Sequence, residues 1–161
     1  MLPKGSERGA LCVNGMSHYA RNGENSNSAV CVSVFKSDYG ATPRDAIEFQ
    51  RKLERSAFAL GGGDYSAPVS SVGAFLGTSN ECGRVKPSYM GGKVKEADLR
   101  PLLPKELCDT LSAGLVDFGR KIKDIVDIFS LRCGGCAWCM VAAFLLCFLG
   151  EYLVISPHKI S

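Results

Sequence analysis

Histidine is nearly missing from this sequence: only His18 and His158 occur, alongside a single tryptophan. So small a supply leaves no Ser/His/Asp or Cys/His nucleophilic site that can be assembled from sequence. Charge of one sign is also scarce, since Lys plus Arg (19) exceed Asp plus Glu (16) by only three, with no long basic run. Nucleic-acid binders carry a clustered basic patch and a high pI, so no nucleic-acid partner is expected. No Asn-x-Ser/Thr acceptor site occurs, and Met1-Leu2 leads into Pro3, Lys4, Gly5, Ser6, Glu7 and Arg8 rather than an apolar stretch. No secretory leader is therefore expected, and a reducing cytoplasm suits the body of the chain.

What is present is an ordinary globular mixture, 46% hydrophobic and 22% charged over 161 residues, which fits one domain with a real core. The average hides two unequal parts. From Cys133 to Ser156 there is one formal charge, Glu151, whereas the preceding body is charged throughout. Cysteine divides the same way. Cys12, Cys31, Cys82 and Cys108 are scattered through the body and read as small buried hydrophobes, while Cys133, Cys136, Cys139 and Cys147 crowd the end. The expected organisation is a polar start over 1–9, a body over 10–123 and an apolar, cysteine-rich tail over 124–161.

Local patterns give the body a mixed α and β reading. Ala10 to Val13 is a short apolar run ending at Asn14-Gly15, which predicts a strand and a tight turn. Arg21 to Ser28 is polar or glycine throughout, a loop by composition. Ala29 to Phe35 alternates, with Val30, Val32 and Val34 on one face, as a strand does. Thr42-Pro43 opens the first long helix, with Thr42 as N-cap and Asp45 in the first turn. Its stripe is Ala46, Phe49, Leu53, Ala57 and Leu60, and Gly61-Gly62-Gly63 stops it. Because that triplet follows a helix, it faces the negative end of the dipole and would repel an anion. Pro68 predicts the start of a shorter helix containing Val69, Val72 and Leu76. Pro87 keeps Val85 to Tyr89 extended. Pro104 opens the longest helix, Lys105 to about Ile128, on the stripe Leu107, Leu111, Leu115, Phe118, Ile122 and Ile125.

The tail admits two chemical readings beside plain apolar filler. Residues 133–150 are 18 in a row without charge, the lower end of a membrane-spanning length of roughly 17 to 25 residues. Arg120, Lys121, Lys123 and Arg132 precede the run and only Lys159 follows, so an inserted helix would leave the body cytoplasmic. Cys133-x-x-Cys136-x-x-Cys139 has the spacing that turns thiolates toward one metal. Three ligands are an incomplete set. Cys147 or His158 would have to supply the fourth, and the intervening Trp138, Met140, Val141, Phe144 and Leu145 read as a helix rather than a metal loop.

In the body, Arg21 lies in the polar loop, where a guanidinium pairs well with a carboxylate or phosphate. Asn25, Asn27 and Ser28 add groups that donate and accept, so these four residues are candidates to lie near cofactor or substrate, against the plainer reading of a solvated loop. Lys86 and Tyr89 flank Pro87, where a pocket wall and simple packing both fit. His18 has no carboxylate near it in sequence, which favours packing over acid–base work. Glu48, Arg51 and Glu54 lie off the apolar stripe and read as a solvated face.

A run of segments along the body carries a resemblance: Val13-Asn14-Gly15-Met16-Ser17, Ala20 through Ala29, Glu48-Phe49-Gln50-Arg51-Lys52-Leu53-Glu54 and Leu60-Gly61-Gly62-Gly63-Asp64-Tyr65 with Ala67-Pro68-Val69. Val72-Gly73, Phe75-Leu76, Val85-Lys86-Pro87-Ser88-Tyr89, Asp98-Leu99, Leu103-Pro104 and Phe118-Gly119-Arg120-Lys121-Ile122-Lys123 follow. On these the body resembles the FAD-dependent dehydrogenases, flavoproteins also labelled NAD(P)/FAD-dependent oxidoreductases. The resemblance implies FAD as cofactor of the complete protein, and a strand, Gly-x-Gly-x-x-Gly and helix that hold its pyrophosphate. No such motif occurs in these 161 residues. The Thr-Arg-Thr-Ser-Ser-Pro stretch and glycine-rich return of the family are likewise absent after Lys123, where the tail looks foreign, as after a frameshift.

The expected fold class is therefore α+β, a partial substrate or cap domain of a two-domain flavoprotein with an apolar helical C-terminal tail. The implied role is a fragment that covers the flavin, inactive and without bound FAD when separated from its FAD-binding domain. A small membrane-anchored interaction protein with a cytoplasmic body is the alternative.

Overall fold

A computed structural model of the chain describes residues 7–13, 19–20, 30–79 and 93–121. Its elements are α1 (Lys36–Tyr39), α2 (Pro43–Leu60), β1 (Ala67–Val69), α3 (Val72–Leu76), β2 (Val94–Glu96), a 3-10 turn (Arg100–Leu102) and α4 (Lys105–Lys121). β1 and β2 pair in parallel, with Ala67 beside Val94, Pro68 beside Lys95 and Val69 beside Glu96. The class is α+β, as the sequence pattern predicts.

α2 forms where the caps and stripe say it should. The Thr42 hydroxyl accepts the Asp45 N–H at 3.3 Å, and the Asp45 carboxylate accepts the Thr42 N–H at 2.9 Å. This reciprocal box satisfies two of the donors left open at a helix start, a cap worth about 0.5–2 kcal/mol. Ala46, Leu53 and Ala57 are buried along one face, with Phe49 and Leu60 half-buried beside them. α4 buries Leu107, Cys108, Leu111 and Leu115 in the same way. These two faces join Leu11, Val13, Ala67, Val72, Phe75, Leu99 and Leu102 in one core.

Several expectations need correction. Ala10–Val13 forms no strand. Ala10, Leu11 and Val13 are buried, and the Leu11 N–H donates to the Glu54 carbonyl of α2 at 2.9 Å. Residues 30–35 form no ladder either. Val30 and Val32 pack on the core, so their alternation reports which face is buried rather than strand pairing. Pro68 does not begin a helix: it sits inside β1, and α3 begins at Val72 behind Ser71, whose hydroxyl accepts the Ala74 N–H at 3.0 Å. The left-handed residues after α2 are Gly62 (φ 99°) and Gly63 (φ 77°), whereas Gly61 stays right-handed. The tail from 122 onward, including 133–150, lies outside the described residues, and so does the end expected for the last helix near Ile128. Among the described residues no helix is long and apolar enough to cross a membrane.

Candidate functional site

The most constrained part of the described chain is the corner running from the end of α2 into β1. The N–H groups of Gly61, Gly62 and Gly63 donate to the carbonyls of Ala57, Ala59 and Phe58 at 2.9, 3.0 and 2.9 Å, closing the last turn of the helix. A side chain at Gly61 would put its Cβ 1.9 Å from the Ser66 carbonyl oxygen, so the chain folds back where only glycine fits. Tyr65 follows with φ 64°, the sole non-glycine residue at positive φ among those described. Such a conformation costs on the order of 1 kcal/mol and persists only when its surroundings hold it. Two contacts do so. The Tyr65 ring stands edge-on to Phe58, with centroids 4.7 Å apart, and its hydroxyl accepts the Gly9 N–H at 3.1 Å.

Polar groups around β1 are buried and occupied. Ser66, Ser70 and Ser71 are all buried. The Asp64 carboxylate accepts the Ser66 N–H at 3.1 Å, and hydrogen bonding from Ser66, side chain first and then backbone, holds it below the usual carboxylate range. The Ser70 hydroxyl donates to the Ser71 carbonyl at 3.2 Å. The C-terminal ends of β1 and β2 lie at one end of the parallel pair, the end where open α/β sheets take ligands. There Arg100 is committed to Asp98, with Nε 3.0 Å from Oδ1 and Nη2 2.9 Å from Oδ2, a fork that lowers the Asp98 pKa.

Both histidines, His18 and His158, lie outside the described residues. The half-buried Cys12 thiol has a raised pKa, through burial first and Glu54 second, and burial raises that of Cys108, which donates to the Arg100 carbonyl. Both therefore stay protonated and weakly nucleophilic, in keeping with their reading as small hydrophobes. No group of three or more His, Cys, Asp or Glu side chains that could hold a metal occurs among the described residues. Arg51 bridges Glu48 and Glu7, both at 3.3 Å, and so fastens the N-terminal segment to a face the sequence reads only as solvated.

The sequence-derived candidates Arg21, Asn25, Asn27, Ser28 and Lys86 lie outside the described residues, as do His18 and Tyr89 and the thiols Cys133, Cys136 and Cys139. What sequence reasoning missed is the Tyr65 clasp. Its signal is an aromatic residue two positions after a glycine triplet, where positive φ is easily reached by the neighbours but not by tyrosine.

An FAD pyrophosphate needs free, convergent backbone N–H groups at a helix start. Gly61, Gly62 and Gly63 do not fit that requirement, because their N–H groups are consumed at a helix end. α3 is only five residues long, and its Ala74 N–H is already taken by Ser71.

Comparison with known proteins places these features in a family. Residues 1–130 match the family described as FAD-dependent protein, C-terminal domain-like. A relative from Clostridium beijerinckii, described only as an uncharacterized protein, is 44% identical over 121 residues, which cover 73% of this chain and 22% of that relative. The chain thus spans about a fifth of the length of the curated relative it matches.

Proposed function

The chain belongs to the FAD-dependent protein family through its C-terminal-domain-like region, and from that premise we propose that it supplies the substrate-facing cap of an FAD-dependent oxidoreductase of the dehydrogenase type. The flavin's pyrophosphate is gripped by a separate FAD-binding domain, and this region covers the isoalloxazine and shapes the substrate pocket. One observation carries the reading. In a family that depends on FAD, the glycine triplet of this chain spends its N–H groups on closing a helix, and no Gly-x-Gly-x-x-Gly occurs in the 161 residues. In such enzymes the isoalloxazine performs the redox chemistry while the protein supplies position and electrostatics. The groups we assign near flavin or substrate are Arg21, Asn25, Asn27, Ser28 and Lys86, with Arg21 pairing a carboxylate or phosphate.

Two measurements test this. The purified chain, titrated with FAD and desalted, is expected to retain no stoichiometric flavin, and protein that stays yellow with one flavin per chain overturns the proposal. On this reading the Clostridium beijerinckii relative, carrying this chain's residues in place of its matched 121, is expected to bind added FAD and to shield it from iodide quenching. Deleting the segment should expose the flavin, and equal quenching with and without it removes the cap role.

A further inference from the structure

Among the described residues the sheet consists of β1 and β2 and has two outer edges, which the chain treats differently. Ala67 donates its N–H to the Lys93 carbonyl at 2.8 Å, and the Val69 carbonyl accepts from the Ala97 N–H at 2.9 Å. Backbone groups alternate sides along a strand, so Pro68 turns outward, and proline has no N–H to present there. That edge is closed, and all of β1 is buried. On β2 the same alternation turns Lys95 toward β1 and Val94 and Glu96 outward. The outward N–H and carbonyl groups of Val94 and Glu96 have no backbone partner among the described residues. Val94 is half-buried, and Lys95 and Glu96 are exposed.

Charge gives this open edge its preference. The Lys95 ammonium lies 3.1 Å from where a Cβ on Gly62 would stand, just beyond the C-terminus of α2. The negative end of a helix dipole draws a cation to such a place, so the charge is held beside the edge. A second copy of the chain is a poor occupant. In a symmetric antiparallel pair only residues with outward backbone groups exchange hydrogen bonds, which limits the two-fold axis to Val94, Lys95 or Glu96. Those registers set Lys95 opposite Lys93, Lys95 opposite Lys95, or Glu96 opposite Glu96, like charges each time. Charged side chains protect short edges against self-association in this way.

We infer that the outer edge of β2 docks an extended segment of a partner protein, which adds a third strand with a carboxylate side chain opposite Lys95 and an apolar one opposite Val94. Main-chain bonds to Val94 and Glu96 supply the attachment, and the charge beside Gly62 supplies the selection.

The probe is the peptide Thr-Lys-Glu-Val-Glu-Thr, titrated into the isotopically labelled full chain, with Thr-Glu-Lys-Val-Lys-Thr as its charge-reversed counterpart. The acidic peptide is expected to shift the amides of 93–97, to slow exchange at Val94 and Glu96, and to bind about tenfold more tightly than its counterpart. Glu96→Pro removes an outward donor without touching the ladder to β1 and should weaken binding about tenfold, whereas Glu96→Thr should not. Lys95→Glu should reverse the peptide preference, and this exchange decides the matter if the proline variant loses its fold. No binding at millimolar peptide, equal binding of both peptides, or a preference unmoved by Lys95→Glu overturns the inference.

Discussion

β1 and β2 have the same length, run in parallel and pair in register, yet one belongs to the interior and the other to the surface. β1, Ala-Pro-Val, is packed against α2 and enclosed by buried serines on both flanks. β2, Val-Lys-Glu, offers only Val94 to the core cluster. The difference teaches that pairing alone decides little in so short a sheet. What fixes β1 is the corner before it, where Gly61 lets the chain double back onto Ser66 and Tyr65 is clasped against Phe58 and Gly9. β2 has no such corner among the described residues and depends on its neighbour.

The comparison breaks most sharply at the corner. Gly61→Ala would drive a methyl group into the Ser66 carbonyl, a backbone atom that cannot step aside, and is expected to destabilise by about 3 kcal/mol or more in urea unfolding. A loss below about 1 kcal/mol would mean the corner is loose and β1 is held by something else. Next in size is the contrast between the valines of the two strands, Val69 at the end of β1 and Val94 at the start of β2. Val69 is 1% exposed, so Val69→Ala should cost about 2–3 kcal/mol, while the half-buried Val94→Ala should stay under about 1 kcal/mol. Equal effects at the two positions would erase the distinction between strands.

How much of this is legible in the sequence depends on how often a signal is repeated. α2 and α4 were legible because each apolar stripe recurs over four or five turns, and because Thr42 with Asp45 marks one start and Pro104 another. β1 was misread. Proline at the start of an apolar run is a good helix signal, but Pro68 can sit in a strand because its missing donor faces away from β2, the one partner of β1 among the described residues. β2 and the 3-10 turn are three residues each, too short for any period to emerge. Ala10–Val13 and 30–35 show the reverse error, since an alternating or apolar run records burial whether or not a ladder exists to use it. The proposed site at Arg21 to Ser28 rests on donor-rich composition and family resemblance, signals that carry chemistry but no geometry.

Smaller effects sharpen the same contrast. By the parallel ladder the Lys95 N–H faces β1, so Lys95→Pro should cost about 2 kcal/mol, while Glu96→Pro should stay within about 0.5 kcal/mol. Matching losses would mean that β2 is paired on both sides. Tyr65→Phe keeps the ring against Phe58 but gives up the bond to Gly9, an expected loss of about 1 kcal/mol, together with faster amide exchange at Gly9.

The smallest expected effect is on pH, where three carboxylates act together at the corner, at the cap of α2 and just past β2. The Thr42 backbone N–H lowers the Asp45 pKa, the Ser66 hydroxyl that of Asp64, and the Arg100 fork that of Asp98. A carboxylate whose folded pKa lies below its unfolded value, about 3.9 for aspartate, stabilises the fold fully above that value. The contribution is lost as pH falls through the folded value. Asp64 and Asp98 are exposed and Asp45 half-buried, all within reach of solvent ions, so salt should shrink each effect. Thiols act on the opposite limb: Cys12 and Cys108 have raised folded values, so their contribution is complete below an unfolded thiol value of about 8.5 and is lost as pH rises through the folded ones. Urea midpoints measured across the pH range should therefore fall at both ends. Asp98→Asn and Asp64→Asn should each flatten the acid limb, and an acid limb left unchanged by both would show that the carboxylates around the sheet are not held as the hydrogen bonds require.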